Sequence, residues 1–297
     1  VRAETASSDA PHLALPLGGI GTGNFAICSD GSLRQWQLHN IGNHGGALPH
    51  TFFALRASRV EPPLDMLRVL QAPIRESTAT PLVTDDIAPR WQHNLLRSHH
   101  GVTGTSVSDT YPFVHLRYED DELPVEVTLE AFTPLVPLDV ETSSIPVAMF
   151  TFRITNTDAA HVHGTLGATL QNAIGWDGIS PIDGVIGSGY GGNTNRVSRD
   201  DEWTSVVLEN TTLPDDAPGS GQMVLAVDER LAPVLRQWRH PDEFMAFLQS
   251  RSWGNAEAHS EIDRASADPQ RYAPQAFDGP SPAGCTWNTG IGVRFEL

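Results

Sequence analysis

Apolar and polar residues alternate in short runs along most of this chain. Phe113-Val114-His115-Leu116-Arg117-Tyr118 alternates, and the acidic turn Glu119-Asp120-Asp121-Glu122 leads into Val125-Glu126-Val127-Thr128-Leu129-Glu130. Valines and leucine there share one face and carboxylates the other, the period-two mark of a half-buried strand. Further strands are expected at Thr51–Ala57, Val147–Ile154, Val162–Leu170, Ser205–Leu208, Met223–Val227 and Gly290–Leu297. One segment has helical spacing. Pro241, Asp242 and Glu243 suit a helix start, Phe244, Phe247 and Leu248 fall on one face, and Trp253-Gly254 stops it, giving a helix over about 241–251. Strand after strand with one or two short helices predicts an all-β fold, a large antiparallel β-sandwich rather than alternating βα units. Three stretches read as loops: roughly 71–111, the glycine-rich 175–196, and 254–284.

Composition narrows the class. At 297 residues the chain can bury a large core, and its 26 glycines and 22 prolines are spread out as many turns require. No apolar run approaches the roughly 18 residues of a membrane span. The formal charge is −17, and all 19 basic residues are arginine. Such a surface repels nucleic acid and anionic membrane. Cys28 and Cys285 are the only cysteines, too few for a disulfide scaffold. Free thiols fit a reducing, cytoplasmic setting, and a single long-range bridge between the two is the other reading. The chain opens at Val1 without methionine or an apolar leader core, so an earlier segment stays open.

The stretch Leu17-Gly18-Gly19-Ile20-Gly21-Thr22-Gly23 looks at first like a phosphate cradle. A dinucleotide loop needs G-x-G-x-x-G between a strand and a helix, but Asn24 stands where the last glycine belongs. A Walker-type loop needs lysine, and the chain has none. Phe25–Cys28, the turn at Asp30-Gly31 and Leu33–Leu38 read instead as a hairpin. Glycine there permits close backbone approach, as for a loop packed beneath another domain.

Several ordered stretches together carry a resemblance. Pro16–Gly23, Gly31–Leu38, Tyr111-Pro112-Phe113, Leu123-Pro124-Val125, Glu130–Asp139, Ser144–Val147, the Asn156 turn, Asn172 and Trp176 resemble the opening region of glycoside hydrolase family 116. That family includes non-lysosomal glucosylceramidases and bacterial β-glucosidases. The resemblance implies that residues 1–297 form the N-terminal β-sandwich domain of a larger retaining β-glucosidase. Its acid pair would lie in a following (α/α)6 helical barrel, so no catalytic residue is assigned in this segment. Gln35, where the family usually shows a second arginine, is a departure. The partners implied are a β-glucoside or glucosylceramide-like substrate, met through the parent enzyme, and the helical domain itself. No cofactor is implied. The other reading is a stand-alone carbohydrate-binding or structural sandwich.

Retaining hydrolysis needs two carboxyl groups about 5–5.5 Å apart, and an acidic chain offers many. Glu126 and Glu130 share a strand face and read as solvated. Asp177 beside Trp176 is more pointed, since a ring can stack on a sugar while a carboxylate takes its hydroxyls. Trp176, Asp177, Asn193, Asn195 and Arg196 are therefore candidates for substrate binding or a domain interface. Arg34, Trp36 and His39 are interface candidates on the hairpin, with plain core the other reading for Trp36. His161-x-His163 has no third ligand at motif spacing, and His39, His44 and His50 cluster in sequence without such spacing, so no metal is assigned.

Overall fold

The computed structural model describes residues 3–5, 13–39, 41–42, 45–73, 90–250 and 277–297. The protein is mostly β, with 44% strand and 9% helix, which places it in the all-β class. The chain divides into two compact units. One holds residues 1–48, 57–163 and 296–297, and the other 49–56 and 164–295.

The first unit contains two antiparallel sheets. A three-stranded sheet is formed by β2 (Ala14–Gly18), β3 (Asn24–Cys28) and β4 (Leu33–Gln37). A five-stranded sheet runs in the order β1 (Ala3–Thr5), β7 (Gly104–Thr110), β8 (Phe113–Glu119), β9 (Val125–Phe132) and β10 (Met149–Asn156). Their inner faces meet. Phe25 of β3 lies 6.3 Å from Phe150 of β10, and Thr105 of β7 donates to the Ser29 carbonyl at 2.6 Å. Alternation in β8 and β9 is as expected, with Val114, Leu116, Tyr118, Val127 and Leu129 all buried. On the outer face Arg117 pairs with Glu126 at 3.0 Å, and His115 stands 3.6 Å from Glu130.

The second unit is built on β5 (Phe53–Arg59), whose last residues belong to the first, where it is followed by β6 (Leu64–Val69). Its main sheet orders β15 (Val234–Trp238), β16 (Asn288–Glu296), β11 (His163–Gln171) and β5. A three-stranded sheet joins β12 (Asn193–Arg199), β13 (Thr204–Asn210) and β14 (Met223–Val227).

Two expectations need correction. The described residues hold three short helices rather than one or two: α1 (Arg90–Ser98), α2 (Val140–Ser143) and α3 (Pro241–Gln249). Stretch 71–111, read as loop, contains both α1 and β7. In α1 only Gln92 and Leu95 are buried, too narrow a stripe to announce a helix. In Gly104–Thr110 small polar residues mask the alternation. The Trp253-Gly254 stop and most of stretch 254–284 lie outside the described residues.

Helix α3 is the one that sequence spacing announced. Phe244, Phe247 and Leu248 are buried, and Phe244 meets Phe52 at 5.8 Å and Trp238 at 5.9 Å. Its seat is made by glycines. A Cβ on Gly167 of β11 would stand 2.6 Å from Leu248 and 2.7 Å from Phe244. Gly167→Ala is therefore expected to overpack this seat and cost about 1–3 kcal/mol of stability, measured by denaturant titration.

Candidate functional site

The hairpin candidates are organised by one carboxylate. Asp30 follows β3 and is buried at 6% exposure. Its Oδ1 accepts from the Ser32 amide at 2.9 Å and the Ser32 hydroxyl at 2.6 Å. Its Oδ2 accepts from Arg34 Nη2 at 3.0 Å and from Gln92 Nε2 of α1 at 2.7 Å. Arg34 is equally buried. Burial works against its charge, but the Asp30 carboxylate and then the Cys28 sulfur outweigh that and raise its pKa. The neighbouring Cys28 thiol is pushed up to about 11, chiefly by burial.

A bulge sets these directions. The β3–β4 register shifts between Asn24 and Ala26, and Gln35 adopts φ 55°. The extra residue leaves Arg34 on the Ala26 face of the hairpin and Trp36 on the Phe25 face, and both are buried, while Gln35 is half-buried. Trp36 stacks on Phe25 at 4.3 Å and donates its Nε1 proton to the Leu33 carbonyl at 3.3 Å. It sits in the core of this unit. His39 follows with φ 58°, and burial lowers its pKa.

The glycine loop joins β2 to β3 and leans on α2. Ile20 donates to the Ser143 carbonyl at 2.9 Å, and Thr22 Oγ1 to the Ser144 carbonyl at 2.8 Å. A Cβ on Gly19 would stand 2.5 Å from that Ser144 oxygen, so a larger residue could not approach. The adjoining turn is equally tied down. Asp139 caps α2 through Thr142, and Ser143 Oγ bonds both the amide and the carbonyl of Val136 at 3.0 Å. Those Thr142 bonds hold the exposed Asp139 carboxyl below its ordinary pKa.

What this framework presents is apolar. Leu138 is fully exposed at 105% and has φ 68°, a left-handed backbone that costs a branched residue energy. Val140 at 72%, Ile20 at 58% and Ile145 at 45% accompany it. Sequence reasoning missed these four. For Leu138, Val140 and Ile145 the signal was apolar residues between prolines 134, 137 and 146 with no strand period, and for Ile20 an apolar residue set among glycines.

The second unit holds the remaining candidates. Trp176 is 1% exposed, and its Nε1 donates to the Ser180 carbonyl at 2.8 Å. No ring face is left open for a sugar. Asp177 is exposed but closes its own turn, accepting from the Ile179 amide at 2.9 Å and the Ser180 amide at 2.7 Å. Slight burial opposes its charge, but the Ser180 hydroxyl at 2.5 Å and these amides outweigh it and lower its pKa. Asn193 and Asn195 are buried in an amide network with Asn172. Asn172 Nδ2 donates to Asn195 Oδ1 at 3.1 Å, and Asn193 Nδ2 to Asn172 Oδ1 at 3.1 Å. Asn195 Nδ2 reaches the carbonyls of Arg236 at 2.9 Å and Asn288 at 3.1 Å, linking β12 to β15 and β16. Arg196 points outward, 3.7 Å from Glu209. Among the described residues no group of three or more His, Cys, Asp or Glu could hold a metal ion.

With this geometry in view, the comparison with known families is decisive. Residues 14–277 match the family described as beta-glucosidase 2, glycosyl-hydrolase family 116 N-term. The chain belongs to that N-terminal domain family. No curated protein matches it. In this family 116 N-terminal domain the glycine stretch packs against α2, and Trp36, Trp176, Asn193 and Asn195 are buried and hydrogen-bonded within their own units. No helix among the described residues is long and apolar enough to cross a membrane.

Two measurements follow from these environments. Asp30→Ala strands the buried Arg34 charge, and about 3–5 kcal/mol of unfolding free energy should be lost; calorimetry of both proteins checks this. In the second unit His50 Nδ1 shares a hydrogen bond with the Asn288 side chain at 3.0 Å, and the ring packs on Trp238 at 5.4 Å. Burial, then the charge of His240, lowers its pKa to about 4, against a small rise from Asn288. Unfolding then lets His50 take up a proton at mildly acid pH, so its contribution is full above its unfolded pKa of about 6.5. That contribution falls as pH drops towards 4. His50→Gln should flatten the stability profile over this window.

Proposed function

We propose that this domain is the non-catalytic platform of a retaining β-glucosidase or glucosylceramidase-like enzyme, docking a following helical catalytic domain and walling part of its sugar site. The observation that carries the reading is the exposed apolar set Ile20, Leu138, Val140 and Ile145 on a turn rigidly hydrogen-bonded to the glycine loop. Apolar surface of this kind serves interfaces, and strain held at Leu138 is maintained only where the surroundings over-determine it. The family description, an N-terminal part of a glycosyl hydrolase, supports a catalytic partner on the same polypeptide. A glucoside substrate then belongs to the parent enzyme, and the two free thiols support a reducing, cytoplasmic setting. A stand-alone carbohydrate-binding sandwich would use an open aromatic platform, and the enclosed Trp176 ring does not favour it.

The test compares the 297-residue chain with the enzyme carrying its helical domain. The chain alone should not hydrolyse an aryl β-glucoside above background. Ile20→Asp with Leu138→Asp should leave the isolated chain's melting temperature within about 2 °C, since both side chains are exposed. In the enzyme the same pair should split one melting transition into two and lower activity. Equal behaviour of variant and wild-type enzyme would overturn the docking face. Turnover by the 297-residue chain, abolished by a carboxylate change within it, would overturn the non-catalytic reading.

A further inference from the structure

The Asp30 cluster holds more polar atoms than its own bonds use. Around it three buried atoms have no protein partner among the described residues: Arg34 Nε, Gln92 Oε1 and Tyr118 Oη. Their side chains are 6%, 1% and 5% exposed. Arg34 and Gln92 are anchored on the carboxylate through their other nitrogens, at 3.0 and 2.7 Å. Covalent geometry therefore keeps their free atoms within a few ångström of it. Tyr118 enters from β8. A Cβ on Gly31, the residue after Asp30, would stand 3.0 Å from Tyr118 Cε1, the ring atom next to the hydroxyl-bearing carbon. Gly31 itself has φ 85°, and a Cβ there would meet the Leu70 carbonyl at 2.5 Å as well as this ring.

The three atoms are complementary in kind. Arg34 Nε–H only donates, Gln92 Oε1 only accepts, and a phenol does both. Bare polar atoms at this depth are rare in folded proteins. Burial first, and the Asp30 charge second, raise the Tyr118 pKa, so the phenol keeps its proton and can donate. A cation is a poor occupant beside the Arg34 guanidinium. A water molecule suits the set, since buried waters typically make about three hydrogen bonds to such groups.

We propose that one internal water is bound beside Asp30, accepting from Arg34 Nε, donating to Gln92 Oε1 and sharing a hydrogen bond with Tyr118 Oη. It would complete the junction of β4, β8 and α1 around a carboxylate whose own acceptors are already occupied. This inference is independent of the docking proposal.

A crystal structure at about 1.5 Å or better should show a density peak within hydrogen-bond distance of all three atoms. Direct bonds among these atoms, or to another side chain, with no such peak would overturn the site. Tyr118→Phe gives a second readout whose sign decides. Removing a hydroxyl that bridges a bound water should lower the melting temperature by about 2–6 °C, whereas removing a bare one leaves it unchanged or raises it. The loss should shrink in a Gln92→Met background, where the water has already lost its acceptor. A Tyr118→Phe protein at least as stable as wild type would rule out the bound water.

Discussion

An ionised carboxylate inside a protein persists only where donors replace the water it gave up. In the first unit Asp30 meets that demand with four donors from Ser32, Arg34 and Gln92. Much else depends on it. Arg34 can turn inward at the bulge because its charge is met there, and Trp36, two residues on, is carried onto Phe25. Gln92 ties α1 to the same point, although that helix has little apolar surface of its own. The other end of the hairpin is the glycine loop, which rests on Ser143 and Ser144. A single paired charge thus fixes one end of the element whose other end supports the exposed apolar turn.

The second unit solves a different difficulty with neutral groups. Where strands end or change sheet, backbone carbonyls lose their regular partners, and burial makes each one costly. Asn172, Asn193 and Asn195 fill these gaps. An amide suits the task because it donates and accepts at once and carries no charge to desolvate. Asn172 Nδ2 alone reaches the Thr194 and Glu209 carbonyls and the Asn195 side chain. These asparagines look like a sugar-binding set in sequence for the same reason that they work as ties.

The all-β class was legible because alternation reports one-sided burial, and in β8 and β9 that burial is strict. Helix α3 was legible because Phe244, Phe247 and Leu248 recur at helical spacing on one buried face. The hairpin itself was legible from its turn residues. What could not be read was the direction of particular side chains. One extra residue at Gln35 decides which way Arg34 and Trp36 point, and alternation gives no notice of a bulge. Trp176 beside Asp177 suggested a stacking platform, but Asp177 spends its carboxylate on its own turn and Ser180 takes the indole proton. The partners of Asp30 lie 62 residues away in the case of Gln92, a separation at which no local pattern operates.

These placements invert the usual reading of polar and apolar residues in a sugar enzyme. Arg34, Trp36, Trp176 and the asparagines that suggest recognition are turned inward, and leucine, valine and isoleucine stand outside. Such an inversion fits the docking role proposed for this domain. Buried polar ties resist slippage because each has one set of partners, whereas apolar contacts alone tolerate repacking. Rigidity would in turn reduce the ordering cost of the proposed docking, because the exposed residues are already fixed. The left-handed Leu138 is the sharpest instance. Asp139, Thr142 and Ser143 hold its turn closed, so a side chain that would be destabilising in a mobile loop is presented in one position. The glycines of the opening motif serve the same end: their missing side chains bring the backbone of one turn against another, and the phosphate cradle they resemble is a packing joint.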